Sequence, residues 1–122
     1  MSARIRVGIT VGDPAGIGPE IARKTMTDPR VAAVCEPVLY GPAADEASRF
    51  APGVLSARAG RAAYDAVVRV TADAMAGRID AVTTGPIHKE AFALAGLEWL
   101  GHTELLAHLT GAEEVAMMFY SS

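Results

Sequence analysis

The chain has 122 residues, 51% of them hydrophobic and 20% charged, with a formal net charge of −3. That length suits one domain with a modest core, and the scattered basic residues argue against a nucleic-acid surface. The apolar runs are too short to span a membrane, the start lacks the long apolar region of a secretory signal, and the single Cys35 cannot form an internal disulfide. A cytoplasmic protein without membrane or nucleic-acid partners is expected.

Arg4–Thr10 is short and rich in β-branched residues, so it reads as the first strand. The loop Gly12–Gly18 follows, and Pro19 suits the first turn of a helix that ends near Asp28 and Pro29. Pro37–Tyr40 is a second strand, Ala43–Phe50 a short helix, and Ala51–Gly53 a break. From Gly60 the pattern is helical, with Tyr64, Val67, Val68, Thr71 and Met75 on the expected buried face and Gly77 as its left-handed cap. Ile79–Thr84 is a strand, Ile87–Ala95 a helix closed by Gly96, and Thr103–Leu109 a further helix. Glu114–Tyr120 is nearly all apolar and is expected to be a central strand. This alternation predicts an α/β fold, a mostly parallel sheet with flanking helices. Ligands in such sheets bind beyond the carboxyl ends of the strands.

Two stretches carry the chemistry. Gly12, Gly16 and Gly18 make a strand–turn–helix that matches neither the dinucleotide fingerprint nor the phosphate loop with its lysine. Its amides can attract an anion, or the glycines can serve a tight, closely packed turn. Asp13 can face the site or fold back on neighbouring amides in an Asx turn, the commoner role. Thr83–Pro86 ends a strand ahead of His88 and Lys89. Lys89 offers a cation to a phosphate or carboxylate, against the bland reading of a solvated helix residue. His88 can cap or pack. In Gly101–Glu104, Gly101 permits an unusual backbone angle, and His102 or Thr103 would cap a helix and clamp an anionic, hydroxylated ligand. The alternative is an ordinary capped turn. His108, among leucines, reads as a helix-face residue. The histidines lie in separate elements and form no self-contained metal site.

Together these stretches resemble the N-terminal part of the 4-hydroxythreonine-4-phosphate dehydrogenase family of pyridoxal-phosphate biosynthesis. They also resemble its relatives acting on D-threonate or D-erythronate 4-phosphate. The matching segments are Ile9–Glu20, Ala81–Glu90, Ala95–Gly96, Gly101–Glu104 and Met117–Met118. The resemblance implies an isocitrate/isopropylmalate-dehydrogenase-like fold, a homodimer, and oxidation of a secondary alcohol by NAD or NADP. A divalent metal (Zn, Mg, Mn or Co) would hold the substrate, and the keto acid formed would lose carbon dioxide. It assigns substrate binding to His102 and Thr103, and site-lining positions to Asp13 (substrate) and Lys89 (catalytic). Family members are more than twice this length, and their metal-binding histidines and nucleotide contacts lie beyond the part matched here. The chain is also shorter than the family between Tyr40 and Gly60. The expectation is that residues 1–122 form the N-terminal part of a truncated dehydrogenase fold, inactive alone. Val115–Tyr120, deprived of sheet neighbours, would then expose apolar surface. The competing expectation is a remnant that binds a phosphorylated hydroxy acid without catalysis.

Overall fold

The computed structural model describes residues 3–122. Three strands, β1 (Arg6–Thr10), β2 (Glu36–Tyr40) and β3 (Ala81–Thr84), form a parallel sheet in the order β2-β1-β3. Thr10 lies level with Tyr40 on one side and Thr84 on the other, so all three strands end together at one edge. The mostly parallel sheet expected from the sequence is wholly parallel among the described residues.

Alternation along β1 assigns its side chains to two layers. Val7 and Ile9, with Val11, pack against Ala22 and Met26 of α1 (Gly18–Thr27). On the opposite face, Val38, Tyr40, Ile79 and Val82 pack against Ala66, Val70 and Ala74 of α4 (Ala57–Met75). The Tyr40 hydroxyl donates to Asp73 Oδ2 at 2.5 Å, giving the buried ring a polar anchor. Burial and that carboxylate hold the phenol above its ordinary pKa. Farther along α4, Ala63 and Val67 meet Phe92 of α5 (Lys89–Leu94) and Leu105 of α6 (His102–Thr110) in a third cluster. The short helix α3 (Ala44–Ala47) bridges β2 toward α4.

Four expectations change. Asp28 ends α1 but also caps a helix that the sequence reading passed over, α2 (Pro29–Val34), by accepting from the Arg30 amide at 2.8 Å. Pro29 sits at its first position, where a missing N–H costs nothing. The long helix starts earlier, at Ala57, with Ser56 Oγ accepting from Ala59 N at 3.0 Å. Its buried face is Ala59, Gly60, Ala63, Ala66, Val67, Val70 and Thr71. Val67 and Thr71 were expected there, but Tyr64 and Val68 flank that face, and Met75 is 65% exposed. The helix lies on its small residues, which a search for large apolar side chains overlooks. Finally, Glu114–Tyr120 pairs with no strand among the described residues, and every side chain from Gly111 onward is exposed.

Candidate functional site

In this sheet the chain leaves β1 for α1 on one face, and leaves β3 toward α5, which packs on α4 on the other. The β1 and β3 carboxyl ends therefore flank a crevice at the point where the strand order reverses, the usual ligand position in open parallel sheets. Both motif loops rise from it. They are tied backbone to backbone: Gly85 N donates to Thr10 O at 2.8 Å, and Asp13 N to Pro86 O at 2.8 Å. Buried Thr10 adds its hydroxyl, which accepts from Gly85 N at 3.1 Å. The approach requires glycine at two points. Gly12 has φ 72° and a Cβ there would fall on the Pro86 carbonyl, as a Cβ on Gly85 would fall on the Thr10 carbonyl.

The loops enclose a cleft of about 240 Å³ lined by Asp13, Gly16, Ile17, Pro86, Ile87 and His88, with Val54 and Leu55 across from them. Asp13 is buried, and its Oδ1 accepts from Ala15 N at 2.8 Å, so it forms the Asx turn while also lining the cleft. His88 is the extended residue before α5 and lines the cleft without capping the helix. Lys89 opens α5 as an exposed residue and is not part of the cleft wall.

The Gly101–Glu104 turn stands apart from that wall. His102 and Thr103 are the first residues of α6, and its cap is Gly101, with no side-chain capping bond, so neither acts as the expected cap. Gly101 is extended at φ −170°, a conformation open to any residue, which removes the special-angle argument. His102 is half-buried, and its Nε2 is enclosed without a hydrogen-bond partner. Burial pushes this imidazole below its ordinary pKa of 6.5, so it is neutral at pH 7. An enclosed ring nitrogen without a partner is unfavourable, and a ligand atom would relieve it. His108 is an exposed helix-face residue, as expected, tilted against Trp99 at 4.9 Å between ring centroids.

The sequence reading missed one wall of the cleft. The break at Ala51–Gly53 folds back so that Gly53 N donates to Ala15 O at 2.7 Å, carrying Val54 and Leu55 against the glycine loop. Pro52-Gly53 signals a turn, but nothing local names its distant acceptor. Among the described residues no group of three or more His, Cys, Asp or Glu side chains is placed to hold a metal ion.

Residues 17–122 match the profile of the pyridoxal phosphate biosynthetic protein PdxA. The chain belongs to the PdxA family. It is 37% identical to a 4-hydroxythreonine-4-phosphate dehydrogenase of Beijerinckia indica, over 92% of this chain and 44% of the relative. It is 35% identical to a D-threonate 4-phosphate dehydrogenase of Cupriavidus necator, over 92% of this chain and 45% of the relative. A crystal structure of a 4-hydroxythreonine-4-phosphate dehydrogenase from Burkholderia phymatum superposes with a TM-score of 0.89 at 33% identity, over 98% of this chain and 48% of that one. The chain thus spans about half the length of these relatives and corresponds to their N-terminal portion. The two sequence alignments cover 147 and 149 positions, more than this chain's 122 residues, so each relative carries residues inside the matched span that have no counterpart here.

Proposed function

We propose that this chain is the substrate-holding portion of an oxidoreductase that oxidises the secondary alcohol of a phosphorylated hydroxy acid. The substrate proposed is 4-phosphohydroxy-L-threonine, in pyridoxal 5'-phosphate formation. The observation that carries the reading is the joining of both motif loops across the β1–β3 crevice, supported by relatives whose names are those of such dehydrogenases. D-threonate 4-phosphate is the second candidate, because relatives of both names match this chain at similar identity.

In this reading neutral His102 meets a substrate oxygen through Nε2, and the Thr103 hydroxyl bonds beside it. Asp13 is a positioning residue that holds the glycine loop through its Asx turn. Lys89, exposed at the start of α5 and outside the cleft wall, is proposed to offer a cation to the substrate. NAD or NADP, if bound by the full-length enzyme, would supply the hydride acceptor, and we propose that enzyme to be a cytoplasmic homodimer. The described residues offer neither a divalent-metal donor set nor a dinucleotide fingerprint, so no step is assigned to either group within this chain. The chain alone is proposed to bind substrate without turnover.

Calorimetric titration of the 122-residue chain with each of the two phosphorylated acids tests this. Saturable binding of one, weakened in His102→Ala, is expected, with no reduced nicotinamide formed on adding NAD or NADP. Binding of neither would remove the substrate-holding role, and turnover by the chain alone would remove the division of labour.

A further inference from the structure

A second hollow, of about 550 Å³, lies between the segment Gly41–Phe50 and the first half of α4. It shares no lining residue with the cleft described above. Arg58, Arg61, Asp65 and Arg69 line it, and at 100° per residue they fall within one narrow stripe of the helix. Three guanidinium groups thus share one concavity in a chain whose net charge is −3.

Two of these cations are matched. Arg61 Nε lies 3.2 Å from Asp65 Oδ1, and Arg58 Nη2 reaches Glu46 Oε1 only at 3.9 Å while its guanidinium lies 5.0 Å over the Phe50 ring. Arg69 differs. Its Nη2 donates to the Gly41 carbonyl at 2.8 Å, and among the described residues no carboxylate lies within salt-bridge distance of it. A guanidinium carries five N–H donors, so one recorded bond leaves most of its fork for a ligand. The nearby Asp73 is already engaged by Tyr40 and Arg78. Three cations against two carboxylates line the hollow, so its wall carries a net positive charge, although Asp73 outside it attracts Arg69 at longer range.

We propose that this hollow binds a small molecule through an oxyanion, a phosphate or carboxylate group. Arg69 is the principal contact, and Arg58 is fixed by Phe50 for a second. A planar guanidinium fork matches either group with paired hydrogen bonds. Glu46 opposes the anion and sets its affinity low.

The test is calorimetric titration of the 122-residue chain with pyrophosphate and with citrate at low salt. Saturable binding that weakens as salt rises is expected, about tenfold weaker in Arg69→Gln, the loss of one charge-assisted contact. Tighter binding of pyrophosphate assigns the hollow to phosphoryl groups, and tighter binding of citrate assigns it to carboxylates. Because Arg69→Gln also alters the link to Gly41, Glu46→Gln serves as an independent check and is expected to tighten binding by removing the opposing charge. His102→Ala removes the contribution of the proposed substrate site, so saturable binding that persists in His102→Ala and weakens in Arg69→Gln belongs to the hollow. Absence of saturable binding, equal affinity in Arg69→Gln, or no gain in Glu46→Gln would each overturn the proposal.

Discussion

Two apolar segments of similar composition meet opposite fates. Val7–Thr10 lies within the middle strand of the sheet, with Ile9 and Thr10 buried, whereas Val115–Tyr120 pairs with nothing and holds Met118, Phe119 and Tyr120 at 87–89% exposure. Strand propensity does not separate them, since both are rich in β-branched or aromatic residues. What differs is the supply of neighbours. β1 has a hydrogen-bonding partner on each side and a helix over each face, and the last segment has neither among the described residues.

Phenylalanine provides the sharpest test, because one lies in each environment. Phe92 is 1% exposed, packed among Ala63, Val67 and Leu105, and has an edge-to-face contact with Tyr64 at 6.5 Å. Phe92→Ala is expected to cost about 3–5 kcal/mol of folding stability, the usual loss for emptying an aromatic site in a packed core. Denaturant unfolding measures it. A loss no larger than that of an exposed residue would mean that the third cluster is loosely formed.

The next effect concerns the joined loops. In Gly85→Ala the new methyl meets the backbone of Thr10 and Val11, which cannot turn aside as a side chain would. A cost of about 1–3 kcal/mol is expected, together with weaker substrate binding as β1 and β3 part at their carboxyl ends. If stability falls but substrate binding holds, the joined loops are structural and the proposed site lies elsewhere.

A smaller effect depends on pH. The His102 imidazole has its pKa lowered by burial, so the unfolded chain takes up this proton more readily than the folded one. Its stability contribution is complete above the unfolded value of 6.5 and is lost as pH falls from there toward the folded value. Thermal unfolding should show this decline in the wild type and not in His102→Gln. Asp73, whose carboxyl is held below 3.8 by Tyr40 and Arg78, loses its contribution in the same direction but at more acid pH, so the two windows separate.

The sequence revealed most where a local rule fixed the structure. Strand ends at Thr10, Tyr40 and Thr84 and helix ends at Gly77 and Gly96 follow from turn chemistry within a few residues. Asp13 likewise bonds two residues ahead, and its Asx turn was readable. The contributions of Gly53, Val54 and Leu55 depend on a bond to Ala15, nearly forty positions away, which no local pattern encodes. The orphaned Nε2 of His102 belongs to the same class, since enclosure is a property of the assembled fold. The Gly101–Glu104 motif and the resemblance both point to His102 as a candidate, whereas its burial is set by the elements packed around α6.

The smallest stability effect is expected in the unpaired segment itself. Replacing Met118 and Phe119 by serine removes two side chains that are 87% and 89% exposed, so little buried contact is lost. Folding free energy should change by no more than about 0.5 kcal/mol, as for most surface positions. Solubility should respond more strongly. A run of exposed, uncharged strand formers offers both apolar surface and unpaired backbone to other molecules. The double variant is therefore expected to bind less of a hydrophobic dye and to remain monodisperse at higher concentration, with an unchanged melting temperature. A large drop in melting temperature would show that the segment packs on the domain in solution, and the contrast with β1 would then reduce to one of degree.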